Sequence, residues 1–214
     1  METEIILYGC GTLRTLRVHW ILNELLLPYR SVDFLPDSEY SNSDEYKKIN
    51  LTGKIPSLYI DGVYLFESAA ICLFLSERFN DKIIIPASGS IERARQYQWC
   101  FFAMTELDAH TLYVMNKHGG PLKERYGESD AAVHTAKEGF ETQISKIENE
   151  LKNDREFITG DNFSVADILI GTSIESAIRL KKYIPLSVPP NCISYWENLK
   201  KREGFIQAFK LNYP

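Results

Sequence analysis

The chain has 214 residues, of which 44% are hydrophobic and 25% charged. This composition is ordinary for one or two globular domains and excludes global disorder. The 24 basic and 29 acidic residues give a net charge of −5, which argues against a general nucleic-acid binder. No apolar run reaches about 18 residues and the start is acidic, so we predict neither a membrane span nor a signal peptide. The scattered cysteines and isolated histidines predict reduced thiols in a cytoplasmic protein, without a zinc site.

The first 80 residues combine strand and helix patterns. A short β-branched run at 4–8 predicts a buried strand, and residues 14–27 predict a helix that Pro28 ends. Residues 30–34 predict a second strand. A strand, a helix and a strand within about 30 residues form a βαβ unit, so the two strands should be parallel.

The pattern that follows is antiparallel. After an acidic loop with a short helix near 43–49, two strand patterns at 57–60 and 63–66 flank an Asp-Gly dipeptide, which is a strong hairpin signal. Residues 68–79 predict a helix with Ser68 as its N-cap. The predicted fold class of this part is therefore α/β, with a four-stranded mixed sheet.

The composition changes after a segment rich in proline, glycine and serine, 81–90, which is the predicted linker. Strand patterns stop there, and helical patterns follow at 91–117, 129–152, 164–182 and 192–202. Ser164 and Asp167 have the spacing of a helix capping box. We therefore predict an α/β domain at 1–80 and an all-helical domain at 91–214.

The turn between the first strand and the first helix reads GCGTLR from position 9, a G-x-G-x-x-R that imitates a dinucleotide-binding fingerprint. The third glycine is missing and the hairpin interrupts the parallel sheet, so we interpret the glycines as a tight turn. Such a turn directs backbone N–H groups toward a ligand. Cys10 is either a small buried residue or a single reactive thiol, because a helix N-terminus lowers the pKa of a nearby cysteine.

Two further segments fit a peptide-like, zwitterionic ligand. If the Ile55–Pro56 bond is cis, Ile55 presents its backbone N–H and C=O to an extended ligand; the alternative is an ordinary loop proline. Ser68, at a helix start, offers a hydroxyl and N–H groups to a carboxylate, and Glu67 offers a partner to an ammonium group. The alternative is that Ser68 only caps its helix.

Four short segments carry a resemblance to a known family. Residues 50–58 read NLTGKIPSL, and residues 65–71 read LFESAAI. Residues 14–18 read RTLRV, and residues 164–167 read SVAD. They resemble, respectively, the N-P-x-G-K-V-P-x-L, L-x-E-S-x-A-I, first-helix and S-x-A-D segments of the cytosolic glutathione S-transferase family, and they follow one another along the chain as in that family. The resemblance implies a thioredoxin-like N-terminal domain, a helical C-terminal domain that contributes a hydrophobic substrate site, and a homodimer.

The resemblance also implies a glutathione site without a metal. Glutathione would be the co-substrate, and Ile55, before a cis Pro56, would pair its backbone with the cysteinyl part. Glu67 and Ser68 would hold the γ-glutamyl end. Lys54 would lie near the glycyl carboxylate.

The position of the catalytic residue differs among classes of this family. Thr12 falls where phi-like and zeta-like members carry serine and beta-like members carry cysteine. Cys10 falls at the position of the omega-like cysteine, although Gly11 replaces the proline expected after it. An alignment to delta-like members places their catalytic serine at Leu13, which has no hydroxyl. Thr12 is therefore the first candidate and Cys10 the second.

The expected activity is a glutathione transferase that stabilises the glutathione thiolate for attack on a small hydrophobic electrophile. One alternative is a different glutathione-dependent enzyme, such as an isomerase, a peroxidase or a thiol transferase that uses Cys10. The other is a non-catalytic glutathione-binding or assembly module.

Overall fold

The computed structural model describes residues 3–79, 85–152 and 155–214. The protein divides into two compact units, Met1–Ile85 with Lys200–Pro214 and Pro86–Leu199. Part of the predicted linker, 81–84, lies outside the described residues. No helix in the described ranges has the length and apolar character needed to cross a membrane.

The first unit is built on a four-stranded mixed sheet in the order β2-β1-β3-β4. The strands are β1 (Ile5–Tyr8), β2 (Arg30–Val32), β3 (Ser57–Ile60) and β4 (Val63–Phe66). β1 pairs parallel with β2 and antiparallel with β3, and β3 pairs antiparallel with β4. The predicted βαβ unit and hairpin are thus confirmed, although β2 ends two residues earlier than predicted.

Four helices accompany the sheet in the first part of the sequence. They are α1 (Leu13–Glu24), α2 (Glu39–Asn42), α3 (Asp44–Ile49) and α4 (Ser68–Arg78). α1 ends earlier than predicted, because Leu25 is its C-cap and Leu26 adopts a φ of 53°. The predicted N-cap of α4 is wrong. Glu67 occupies that position with a φ of 69°, and Ser68 is already the first helical residue.

The second unit contains helices and no named strand in its described residues. Its elements are α5 (Ile91–Phe102), a π-helical segment (Ala103–Leu112), α6 (Tyr113–His118), α7 (Lys123–Tyr126), α8 (Asp130–Glu150), α9 (Val165–Leu180) and α10 (Pro190–Leu199). The predicted helical character of this part is confirmed, and the predicted capping box of Ser164 and Asp167 begins α9. Sequence patterns did not indicate the π-helical segment inside the first long helix.

One more helix, α11 (Glu203–Asn212), returns to the first unit and packs on α1. The rings of Trp20 and Phe205 meet edge to face with centroids 5.0 Å apart. The Arg202 guanidinium donates two hydrogen bonds to the Glu24 carboxylate, each at 2.8 Å. Sequence patterns did not single out this helix, and the packing groups the last 15 residues with the first unit. The limits 1–80 and 91–214 stay a prediction about domains.

The buried face of α1 contains a histidine that makes stability depend on pH. His19 is fully buried, and burial lowers its pKa to about 4 against the influence of Asp33. Its Nδ1 lies 2.7 Å from the Tyr29 hydroxyl, whose pKa burial raises to about 12. The folded protein therefore keeps this imidazole neutral, whereas the unfolded protein protonates it below a pH of about 6.5.

We expect the free energy of unfolding to fall as the pH drops from about 6.5 toward 4, by about 2.5 kcal/mol at a pH near 4.5 from His19 alone. Urea unfolding of the wild type and of His19→Gln at both pH values measures this contribution. The variant should lose less stability on acidification. An equal loss in both proteins would assign the effect to other groups.

Candidate active site

A row of residues paired across β1, β3 and β4 brings the three predicted ligand segments to the same end of the sheet. Tyr8, at the end of β1, lies opposite Ser57 at the start of β3. Ser57 in turn lies opposite Phe66, at the end of β4. The segments that adjoin this row are 9–12, 55–56 and 67–68. The β1–α1 turn, the turn before β3 and the start of α4 are therefore neighbours, as a site for one extended ligand requires.

Thr12 is the N-cap of α1. Its Oγ1 accepts a hydrogen bond from the Thr15 N–H at 3.0 Å, and Thr15 Oγ1 accepts from the Thr12 N–H at 3.0 Å. This reciprocal pair is a capping box built from two threonines. It fixes the side chain of Thr12 at the N-terminus of the helix, where the helix dipole favours negative charge.

The Thr12 hydroxyl keeps its hydrogen for a second partner. Capping uses only an oxygen lone pair, and Thr15 Oγ1, 3.0 Å away, lies at hydrogen-bond distance as an acceptor for the hydrogen. The Thr12 residue is half-buried. A thiolate placed beside it would compete well for this hydrogen, because hydrogen bonds to an ion are about twice as strong as neutral ones.

The structure places Cys10 in a different environment from the one that a reactive thiol needs. Cys10 is buried, and its N–H donates to the Phe34 C=O at 3.0 Å. Burial, together with the negative charge of Asp33, raises the pKa of the Cys10 thiol. The lowered pKa expected from the helix N-terminus is therefore not found, and α1 begins three residues further on, at Leu13. The raised pKa disfavours the thiolate of Cys10, which supports the interpretation of Cys10 as a small buried residue.

The turn before β3 presents unpaired backbone groups. The Ile55–Pro56 bond is cis. Within the described part of the protein, the Ile55 N–H and C=O make no hydrogen bond. Gly9 lies against this turn, because a Cβ built on it would come within 2.6 Å of the Ile55 side chain. The pair of backbone groups predicted to meet an extended ligand is thus available next to the β1–α1 turn.

A buried hydrogen-bond network holds this turn in place. Tyr46 Oη donates to the Lys54 C=O at 2.8 Å, and Asn50 Nδ2 donates to the same oxygen at 2.9 Å. The Tyr46 hydroxyl also forms a hydrogen bond with Ser57 Oγ at 2.8 Å, and Asn50 Nδ2 donates to the same oxygen at 3.1 Å. Sequence analysis placed Asn50 and Ser57 in a motif without giving either side chain a role, and it missed Tyr46, whose only signal is its position just before that motif. The Lys54 side chain itself is exposed.

The start of α4 leaves backbone N–H groups open to an anionic group. The helix has no side-chain cap, so the N–H groups of its first turn have no partner within the described residues. Ser68 is buried, and its Oγ accepts a hydrogen bond from the Arg17 guanidinium at 3.3 Å. The Glu67 side chain is exposed beside it, on a residue whose φ of 69° is rare for a side-chain-bearing residue. Strained residues of this kind cluster at ligand sites.

Comparison with known proteins identifies the family. Residues 14–78 match the model of the glutathione S-transferase N-terminal domain, and residues 102–203 match that of the C-terminal domain. The chain belongs to the glutathione S-transferase family. This confirms the family resemblance that the sequence motifs carry.

Individual members of the family are similar over nearly the whole sequence. A maleylacetoacetate isomerase from Dictyostelium discoideum is 26% identical over 200 residues, which are 92% of this chain and 88% of that protein. A glutathione S-transferase, hmp2, from Hypomyces subiculosus is 28% identical over 215 residues, which cover 95% of this chain and 97% of that protein. The glutathione transferase URE2P6 from Phanerochaete chrysosporium, solved with oxidized glutathione, is 19% identical. It superposes with a TM-score of 0.81 over 98% of this chain and 96% of its own. This likeness confirms the fold class.

Proposed function

We propose that the protein is a glutathione transferase that binds glutathione along the end of the sheet and stabilises its thiolate with Thr12. The observation that carries the proposal is the convergence of three segments on the row formed by Tyr8, Ser57 and Phe66. The Ile55 backbone would pair with the cysteinyl part of the ligand. The family resemblance also assigns Lys54 to the glycyl carboxylate, and implies a cytoplasmic homodimer with a role in detoxification.

The proposed site separates the two charges of the γ-glutamyl end. Its carboxylate would meet the first-turn N–H groups of α4, which carry the positive end of the helix dipole. Ser68 would donate its hydroxyl hydrogen to the same carboxylate, since its oxygen already accepts from Arg17. The ammonium group would meet the exposed Glu67 carboxylate.

The free energies required for thiolate stabilisation match what Thr12 and α1 can supply. A free thiol has a pKa near 8.5, and lowering it by about two units requires about 2.7 kcal/mol. A hydrogen bond from the Thr12 hydroxyl to the thiolate contributes about 1.5–3 kcal/mol. The N-terminus of α1 adds about 0.3–1 kcal/mol. The proposed mechanism therefore needs no separate base.

The similar proteins support glutathione as the ligand and suggest a second reaction. The name of the Hypomyces protein and the ligand of the Phanerochaete structure both support a glutathione site in this protein. The similarity to the Dictyostelium isomerase favours a glutathione-dependent isomerase as the second candidate, using the same thiolate. The peroxidase or thiol-transferase alternative fits less well, because it relies on Cys10, whose pKa burial raises.

Glutathione titration of the wild type, Ser68→Ala and Ser76→Ala by calorimetry tests this assignment. We expect Ser68→Ala to weaken binding about tenfold, the effect of one lost hydrogen bond to a charged group. Ser76 is a matched control, because it is a buried serine of the same helix whose hydroxyl donates to the Leu73 C=O. Equal affinity in all three proteins would remove Ser68 from the site. Absence of binding to the wild type would overturn the proposed function.

A further inference from the structure

The last residue of α11, Asn212, binds the segment that carries Thr12 through three of its polar groups. Its backbone carbonyl oxygen accepts a hydrogen bond from the Gly11 N–H at 2.8 Å. Its Nδ2 donates to the Thr12 C=O at 3.0 Å, and its Oδ1 accepts from the Thr15 hydroxyl at 2.6 Å. Asn212 is fully buried, so water does not compete for these bonds.

Thr15 transmits the contact with Asn212 to the Thr12 side chain. The Thr15 hydroxyl oxygen that donates to Asn212 also accepts from the Thr12 N–H, at 3.0 Å. The Thr15 N–H in turn donates to Thr12 Oγ1 at 3.0 Å. Thr12 is therefore held at its N–H, its C=O and its hydroxyl, and two of these three restraints lead to Asn212.

The other anchor of α11 lies at the opposite end of the helix. Arg202, its N-cap, holds Glu24 at the last turn of α1 through two hydrogen bonds. Asn212 ends the same helix and reaches the first turn of α1. Docking of α11 therefore has a second anchor, Arg202, at the far end of the helix from the β1–α1 turn, so a substitution there tests docking separately from restraint of the turn.

We propose that Asn212 is a positioning residue for the Thr12 hydroxyl, an inference that rests on the proposed function. Asn212 acts through Gly11, Thr12 and Thr15 rather than on the ligand. A hydrogen bond weakens steeply as its distance and angle leave the optimum, so a small displacement of the turn weakens the bond from Thr12 to the thiolate. The contact therefore sets the pKa of the bound thiol, beyond its part in holding α11.

The test measures the thiol pKa of bound glutathione by thiolate absorbance in the wild type, Asn212→Ala and Arg202→Gln. We expect Asn212→Ala to raise this pKa by about one unit, a tenfold fall in the thiolate to thiol ratio at a fixed pH. Its affinity for S-methylglutathione, which has no thiol to ionise, should stay that of the wild type. Arg202→Gln should lower the melting temperature and leave the thiol pKa unchanged.

Three results would overturn the proposal while the proposed function stands. They are an unchanged thiol pKa in Asn212→Ala, an equal rise in Arg202→Gln, and a parallel loss of S-methylglutathione binding in Asn212→Ala. If Asn212→Ala does not fold, Thr15→Val and Thr15→Ser replace it. The valine should raise the thiol pKa and the serine should not, and equal values would contradict the proposal. A wild type that binds no glutathione, or does not lower its thiol pKa, overturns the proposed function and the inference with it.

Discussion

Replacing Asp167 with alanine is expected to lower the free energy of unfolding by about 4 kcal/mol. The carboxylate is fully buried and accepts four hydrogen bonds. Oδ1 receives the Ile158 N–H and the Tyr195 hydroxyl, both at 2.7 Å, and Oδ2 receives the Ser164 N–H and hydroxyl at 2.8 and 2.9 Å. Alanine would leave buried donors without a partner, and each such group costs about 1–3 kcal/mol.

Urea unfolding of Asp167→Ala beside Asp167→Asn and Asp130→Asn measures this effect. Asp167→Asn keeps the shape but points an amide N–H₂ at donors, so it should lose an intermediate amount. Asp130 is a matched control, because it is an exposed acid in the first turn of α8. It should change the free energy of unfolding by less than about 0.5 kcal/mol. Similar values for the Asp130 and Asp167 variants would show that the buried network contributes little.

Most of the first unit follows from local sequence signals. The β-branched run before Gly9, the Asp-Gly hairpin and the length of the first helix predict the mixed sheet, because each depends on residues close in sequence. The start of α4 illustrates the limit of such signals. Serine is a favoured N-cap, yet Glu67 takes this position with a positive φ, and the Ser68 hydroxyl faces Arg17, more than 50 residues away.

In the candidate site too, features set by local sequence were predictable, and features set by contacts between distant residues were not. The segments 55–56 and 67–68 were predicted from motifs, and their adjacency follows from the pairing of β3 with β4. The raised pKa of Cys10 was not predictable, because it results from burial in the folded protein and from the charge of Asp33. The sequence showed only that Cys10 lies near the start of a helix. Asn212 was missed because polar contacts across about 200 residues leave no periodic or spacing signal.

Replacing Thr12 with alanine should raise the pKa of the bound glutathione thiol by about one to two units. The substitution removes the hydroxyl hydrogen that the proposed mechanism gives to the thiolate, a bond of about 1.5–3 kcal/mol. The proposed mechanism puts the wild-type thiol pKa near 6.5, so about half of the bound thiol is ionised at that pH. With the pKa raised by about one to two units, the thiolate fraction falls, and kcat/KM for glutathione with a chlorodinitrobenzene should fall about 5- to 50-fold near pH 6.5. The loss should shrink as the pH rises, because the thiol then ionises without help.

Two variants separate this effect from the loss of a helix cap. Thr12→Ser keeps a hydroxyl that both caps α1 and donates a hydrogen bond, so it should retain a thiol pKa close to that of the wild type. Ser129→Ala removes the N-cap of α8, whose side chain accepts from the Ala132 N–H. Ser129→Ala should lower the free energy of unfolding by about 1 kcal/mol, as the loss of the cap in Thr12→Ala does, and should leave the thiol pKa unchanged.

A thiol pKa that is the same in Thr12→Ala and in the wild type would show that another group stabilises the thiolate. The backbone N–H groups of residues 9–12 would not be that group, because each already donates a hydrogen bond to another residue of the first unit.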